Sequence, residues 1–429
     1  MQNKLKILVI TLEPPDDILG GMGEHIRLLY RAMAEDGLAD IRVATVSGRP
    51  GRYNFYGYQI CNIDNWVPYK LNCNTIAPTM ALFQSERKLQ SLGTELINEE
   101  RPDIIHYHEV LAAPIGEELK RIYNIPTVGT IHLCQTEMWE SKDSWDLLDF
   151  HYKAWEGRMI ELSNEFIAIS KDYAQIPKRW YMCDRPVNTI HNGVWYEDWA
   201  IARGEKCSEE SQKIRDSLPK DKKIVLFVGR IAEQKGIEFI PEIIDRTKDY
   251  CFVLMGDLNA HNLEKTWEEW KPGAKLKYYE HEYPDNLKLI GFKNEPERQH
   301  WFAAADCVFM PSIHEPFGIV ALEAMAADKP LICTSTSGLA EFTKHQENAY
   351  VCDMNADSLR NGLDEVMNSQ NLREHLIRGG CRTAKKMDWH KVANAVMKVY
   401  RKAIGDHNAD SINYTCNDTD SNHCEDSEL

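Results

Sequence analysis

Short apolar runs alternate with longer stretches in which apolar residues recur every three or four positions, and the alternation occurs twice along the chain. Runs this short, rich in Val, Ile and Leu, suit strands buried on both faces, and the intervening pattern suits helices that join parallel strands. In the first half strands are predicted near Ile7 to Ile10, Ile41 to Val46, Ile104 to Tyr107, Thr127 to Thr130, Phe166 to Ile169 and Val187 to Ile190, with a helix over Met22 to Glu35. The second half starts again at Lys223 to Gly229 and continues through Phe252 to Met255, Leu287 to Ile290, Cys307 to Met310 and Leu331 to Thr334. Trp195 to Asp221 is charged and nearly free of apolar periodicity, so it reads as a hinge between two α/β domains. Near the end, Trp389, Val392, Val396 and Tyr400 form one helical stripe, a core contact.

Composition narrows the function classes. The chain has 429 residues, 43% apolar and 27% charged, enough for two cores and ordinary for an enzyme in water. A formal net charge of -16 opposes a nucleic-acid partner and disfavours a polyanionic acceptor. The twelve cysteines are scattered from Cys61 to Cys424 without a C-x-x-C pair, mostly inside apolar runs, so reduced thiols are expected. Lys4 to Ile10 is too short in apolar residues for a signal peptide, and no run reaches a membrane span. The expectation is a cytoplasmic protein, with peripheral membrane contact left open. Asn259 to Asp285 is aromatic and charged, an expected excursion beside the second sheet. Gly405 to Leu429 is acidic and poor in large apolar residues, so disorder is expected, and its Asp418-Thr-Asp420 lacks the supporting strand that a metal site needs.

Candidate chemistry concentrates in the second half. Glu315-Pro-Phe-Gly-Ile-Val-Ala-Leu-Glu323 sets two carboxylates around Gly318, which opens an apolar helix. Unpaired amides and the positive dipole end of such a helix favour an anion, and glycine lets it approach. Eight residues at helical rise cover roughly 12 Å, comparable to the span from a sugar, past a diphosphate, to a ribose, so each carboxylate can hold hydroxyls at one end. Arg230 follows a predicted strand and Lys235 opens a predicted helix, which puts two cations at the carboxyl edge of a parallel sheet. Cations there neutralise a diphosphate and stabilise the charge that grows on it as a glycosidic bond breaks. In the first half, Gly20-Gly21-Met22-Gly23 follows the first strand as a phosphate-approach loop would, with Glu24 and His25 in the next helical turn.

These residues resemble the E-x7-E and R-x4-K patterns of retaining glycosyltransferases of family four, group 1 type. The resemblance covers nearly all of residues 4 to 404 and is strongest over 224 to 342. It implies the GT-B fold, an α/β architecture of two Rossmann-like domains whose parallel sheets face an interdomain cleft. The implied boundaries are 1-197 for the acceptor side, 198-388 for the donor side, 389-404 for a helix that crosses back, and 405-429 for the tail. It further implies that Glu315 contacts the donor sugar and Glu323 the ribose, that Gly21 and Gly23 face the donor, and that Phe292 receives the base through nearby backbone. Phe317, Gly318 and Ile319 complete the donor-facing set, and His132, Glu315, Arg230 and Lys235 form the catalytic set.

His132 follows an apolar strand, and the family carries a His near here beside the reacting sugar; His106 and His108 sit similarly. Asn192-Gly193 reads as a turn at the domain junction, and Glu341 supports the site from behind. Aromatic clusters at Tyr53, Phe55, Tyr56, Tyr58, Trp66 and Tyr69, and at Trp139, Trp145 and Trp155, suit either sugar faces or loop packing. Asp328 stands where relatives commonly have glycine.

The implied reaction moves a hexosyl group from a nucleotide-diphosphate sugar, UDP-linked first and GDP-linked next, to a sugar, glycolipid or small-molecule acceptor. Configuration is retained, the acceptor attacks on the face the diphosphate leaves, and neither a metal nor another cofactor is required. No carboxylate pair in the sequence is designated for double displacement. Three alternatives share the architecture: an α-glucan or glycogen synthase, a nucleotide-sugar epimerase, and a binding protein without turnover. Glucan synthases usually carry a lysine where this chain has Asp17-Ile-Leu19.

Overall fold

A computed structural model describes residues 4–18, 20–47, 49–64, 76–138, 147–205, 208–256 and 272–419. Two sheets form, one per half of the chain. The first joins β1 (Leu5–Ile10), β2 (Ala39–Ser47), β3 (Gly51–Phe55), β4 (Tyr58–Asp64), β5 (Ile104–His108), β6 (Thr127–Ile131), β7 (Glu165–Ala168) and β8 (Asn188–Thr189) in the order β3-β4-β2-β1-β5-β6-β7-β8. The second joins β9 (Lys223–Val228), β10 (Tyr250–Met255), β11 (Leu287–Gly291), β12 (Cys307–Met310), β13 (Leu331–Thr334) and β14 (Tyr350–Cys352) in the order β11-β10-β9-β12-β13-β14. Every pair within them is parallel except β3 with β4. Both sheets reverse their winding beside the first strand of the half, and such switch points open a crevice at the strands' carboxyl ends.

The central strands are buried on both faces, as their unbroken apolar runs require: Leu8, Val9, Val225, Leu226, Val253 and Leu254 have no more than 1% of their surface exposed. Leucine and isoleucine from the flanking helices close each face, giving two core layers per sheet. All the predicted strands exist, with shifts at their ends of up to two residues.

Four readings change. The aromatic stretch Tyr53 to Tyr58 is an antiparallel hairpin, not a loop, because Tyr56 and Gly57 take φ of 46° and 86° and turn the chain in two residues. The stretch Trp195 to Asp221 is not a free hinge: Trp199, Ala202, Ile214 and Leu218 are buried in the second core, with Trp199 packed on Phe302 at 4.7 Å between ring centres. Its apolar residues are too widely spaced to show a period, yet each is anchored. The terminal helix spans Trp389–Thr419, so residues 405 to 419, expected to be disordered, continue its backbone. The strand β14 was missed because three residues leave almost no pattern.

Of the expected excursion, Pro272–Glu282 is a helix whose Leu276 enters the second core. Residues 257–271, Trp66, Tyr69, Trp139, Trp145 and the Asp420 end of the acidic triplet lie outside the described residues. Asp328 takes φ +53° just after the helix Ile319–Ala326, a left-handed position that explains glycine there and that aspartate tolerates.

The terminal helix fastens the halves together. Trp389, Val392, Val396 and Tyr400 pack with Tyr30, Ile26 and the strands of the first sheet. The two chain crossings run side by side, with Val194 N–H donating to Met387 O at 2.8 Å. A Cβ at Gly193 would stand 2.8 Å from the Trp389 backbone nitrogen, so only glycine fits this crossing. Trp389 is fully buried at the junction. Trp389→Ala is expected to destabilise the protein by about 3–5 kcal/mol, read from the midpoint of urea unfolding.

Candidate active site

The loops that follow β9 and β12 meet at the second switch point. Gly236 takes φ +64°, and a Cβ there would lie 1.9 Å from the Pro311 carbonyl oxygen, so glycine lets the two loops touch. Ile313 and His314 N–H groups donate to Gln234 O at 2.9 and 3.0 Å and lock the contact. Lys235 is therefore delivered to Glu315, its Nζ donating to Oε2 at 2.6 Å, with Ser312 Oγ donating to the same oxygen at 3.4 Å. Lys235 sits on a three-residue 3-10 turn ended by Gly236, rather than at the start of the expected helix, which begins only at Phe239. Arg230 stands exposed beside this pair and has no ion-pair partner among the described residues.

Gly318 caps the helix Ile319–Ala326 at φ +100°, and a Cβ would come within 2.4 Å of the Leu339 side chain. The first amides of this helix consequently open into the cleft. Glu323, one turn inside it and 2% exposed, is ion-paired with Arg298. Burial pushes the Glu323 carboxyl above its ordinary range, and Arg298 pulls it back. Arg298 was missed in the sequence because it comes from another helix, Glu297–Ala304, with no motif of its own. Phe292 is 49% exposed at the cleft. Phe317 lines the cleft, and its ring, 1% exposed and stacked on Phe342 at 5.1 Å, anchors that wall to the core behind it.

Across the cleft, Gly21 opens the helix Gly21–Glu35, and a Cβ there would meet Ile319 Cδ1 at 4.0 Å, so the two domains are close. Gly23 does not line the cleft. A Cβ there would fall 2.6 Å from Glu13 Oε1, so this glycine makes room for the carboxylate that accepts the Gly20 N–H at 2.6 Å. Glu13 was not singled out from the sequence, although it follows the first strand at the switch point.

The histidines form one buried system. His108 Nδ1 and His132 Nε2 are hydrogen bonded at 3.0 Å, Tyr30 Oη joins His108 Nε2 at 2.7 Å and His106 Nδ1 at 2.9 Å, and Tyr400 Oη reaches His106 Nδ1 at 2.7 Å. His25 Nδ1 is held by Asn192 Oδ1 at 2.6 Å. Burial, with the neighbouring rings, lowers His106, His108 and His132 well below the usual imidazole range, and burial lowers His25 to about 4. All are neutral at neutral pH. Ring nitrogens of His25, His108 and His132 come within 4.8 Å of one another, the one such grouping among the described residues that could hold a metal ion.

Glu109, also missed, follows His108 at φ +71°, a strained setting for a side-chain residue. Its carboxyl accepts the N–H groups of His132 at 3.2 Å and Leu133 at 2.9 Å and so orients the loop that carries His132. Glu341 bridges the domains, accepting from Lys171 N–H at 2.7 Å and Asp172 N–H at 3.1 Å and pairing with His191 Nε2 at 2.6 Å. Gly338 N–H donates to Glu315 O at 3.1 Å, so the same loop braces the Glu315 loop. The cleft enclosed by both domains measures about 700 Å³, ample for a nucleotide-sized ligand.

Two outcomes are expected. Burial and the Glu156 charge push Glu109 up from 4.5 to about 8. The folded value lies above the unfolded one, so its stabilising proton is held by both states below 4.5 and stability falls as pH rises toward 8. Glu109→Gln should flatten that decline in urea midpoints compared between about pH 5 and pH 8. Glu341→Ala removes charge-assisted hydrogen bonds between the domains, so the urea unfolding midpoint should fall by the equivalent of roughly 1.5–3 kcal/mol.

Comparison with known proteins places this geometry. A model described as Glycosyltransferase Family 4 matches residues 19–197, and one described as Glycosyl transferases group 1 matches residues 208–382. An uncharacterized glycosyltransferase of Methanocaldococcus jannaschii is 29% identical over 93% of this chain and 99% of its own length. A glycogen synthase of Mycobacterium tuberculosis is 24% identical over 93% of this chain and 95% of its own. Among solved structures, sucrose-phosphate synthase from Thermosynechococcus elongatus superposes with a TM-score of 0.78 at 19% identity, covering 94% of this chain and 100% of that one. HepE of Anabaena in complex with UDP-glucose superposes at 0.67 and 16% identity, covering 92% and 99%. With one family model on each domain and the fold shared by both structures, the chain is a glycosyltransferase, a hexosyl-transferring enzyme of the group 1 type with the GT-B fold.

Proposed function

We propose that this enzyme transfers a hexosyl group from a nucleoside-diphosphate sugar to an acceptor hydroxyl with retention of configuration and without a metal. UDP-sugars are the favoured donors and GDP-sugars the next. The observation that carries the reading is the Lys235–Glu315 pair beside Arg230, which has no ion-pair partner among the described residues, at the head of the helix Ile319–Ala326. An uncompensated cation next to free helix amides favours a diphosphate, and a carboxylate beside it favours sugar hydroxyls. HepE in complex with UDP-glucose and an Arabidopsis starch synthase bound to ADP and acarbose share this fold, which supports a nucleotide ligand here.

As the bond from the anomeric carbon to the diphosphate oxygen breaks, Arg230, Lys235 and the helix amides stabilise the departing charge. The acceptor oxygen bonds to the same face of that carbon, and its proton passes to an oxygen of the departing diphosphate. His132, neutral and held by His108, orients donor hydroxyls. The closed cleft excludes competing water. The similarity to glycogen synthase favours a second reading, an α-glucan synthase; Asp16 and Asp17 after the first strand stand against it.

UDP-, GDP- and ADP-sugars, offered with and without a chelator, test the reading through binding and slow hydrolysis. One donor is expected to bind and hydrolyse equally in both conditions. Lys235→Ala and Glu323→Ala are each expected to reduce hydrolysis by about 10²- to 10³-fold. Survival of binding and hydrolysis in both variants would sink the assigned donor site, and inversion in the product, read by NMR, would sink the same-face mechanism.

A further inference from the structure

A chain of hydrogen bonds runs from the cleft to the last helix. His132 lines the cleft, and its Nε2 meets His108 Nδ1 at 3.0 Å. His108 Nε2 meets Tyr30 Oη at 2.7 Å. Beyond it, His106 Nδ1 lies 2.9 Å from Tyr30 Oη and 2.7 Å from Tyr400 Oη, and His106 Nε2 lies 2.7 Å from Thr130 Oγ1. His106, His108, Tyr30 and Tyr400 are fully buried, so their protons are shared within the chain.

Counting those protons gives the chain a direction. A neutral imidazole carries one N–H and one lone pair, and a phenol has one proton to give. Burial keeps all three histidines neutral. His106 Nδ1 faces two hydroxyls that lie near each other, and it can take a proton from only one. Tyr400 is the nearer of the two, and Tyr30 stands closer to His108 Nε2 than to His106 Nδ1. Tyr400 therefore donates to His106, and Tyr30 donates to His108. His108 then holds its own proton on Nδ1 and passes a hydrogen bond to His132 Nε2, which leaves the His132 proton on Nδ1. That nitrogen has no hydrogen-bond partner among the described residues and keeps exposed surface on a residue that lines the cleft.

We propose that Tyr400 is a positioning residue for His132. By occupying His106 Nδ1 it turns the Tyr30 proton toward His108, and so fixes His132 in the tautomer that offers an N–H, rather than a lone pair, to an oxygen of the substrate. The inference rests on the transferase reading, in which His132 orients donor hydroxyls. Without the Tyr400 hydroxyl the Tyr30 proton is released to His106, His108 donates back to Tyr30, and His132 donates to His108 through Nε2. Its Nδ1 then meets the substrate as an acceptor. A wrong tautomer leaves the ring in place and removes the bond it was meant to make.

Tyr400→Phe keeps the ring and removes only the hydroxyl. Nitrogen-15 spectra of histidine-labelled protein read the tautomer, with the His132 signals identified by their loss in His132→Ala. The His132 proton is expected on Nδ1 in the natural protein and on Nε2 in Tyr400→Phe. With a productive donor, Tyr400→Phe should lower kcat about tenfold or more. In a His132→Ala background the same change should have no further effect, whereas damaged packing would slow both backgrounds alike. A natural protein with the His132 proton on Nε2 overturns the proposal. So does an unchanged tautomer in Tyr400→Phe, or an equal loss of kcat in the two backgrounds. If no donor is bound or hydrolysed, the transferase reading falls, while the spectra still decide whether Tyr400 sets the tautomer.

Discussion

The contact of Gly236 with the Pro311 carbonyl is the constraint on which the second domain's side of the cleft depends. It brings the loops after two neighbouring parallel strands into van der Waals contact, and Gln234 then holds both amides of Ile313 and His314. Lys235 and Glu315 are eighty residues apart in sequence yet hydrogen bonded, because this contact leaves them nowhere else to point. A larger residue at 236 would push the loops apart and separate the pair. The adjoining Gly318 does the same for the helix, since its φ of +100° aims the first free amides at the cleft.

The second constraint is the fastening between domains. Glu341 ties the donor loop to the turn after β7 and to His191, while Gly193 lies against Trp389 where the chain crosses for the second time. The terminal helix adds Tyr400, whose hydroxyl meets His106 and so reaches through Tyr30 and His108 toward His132. A side chain from the last helix thus belongs to the same hydrogen-bonded system as the histidine at the cleft. Burial keeps that system neutral, which separates it from the charged machinery opposite.

Electrostatically the cleft is divided. The second domain lines it with Arg230, Lys235, Lys293 and Arg298 against Glu295, Glu315 and Glu323, whereas Arg27 is the one described Arg or Lys that the first domain contributes. Arg27 and Glu24 neutralise each other within the first half, and Arg298 and Glu323 within the second. Arg230 is left to meet a charge that the protein does not supply among its described residues.

The sequence by itself determined the two-domain α/β fold, because a strand buried on both faces must be apolar throughout and is legible in four to six residues. The Glu315–Glu323 motif was legible too, since Glu315, Gly318 and Glu323 lie within one loop and helix whose spacing is local. Tertiary structure decided what depends on approach between distant segments. Gly23 turned out to make room for Glu13, Phe317 to anchor its ring on Phe342 behind the cleft wall, and Arg298 to hold Glu323 from another helix. Glu109 acquires its part only where β5 ends beside β6. The tertiary fold also turned a patternless stretch, Trp195 to Asp221, into packed core and carried the terminal helix beyond its expected end. Periodicity reports which face a residue buries within its own element; which partner it meets is fixed only when parallel strands bring their loops to a common edge.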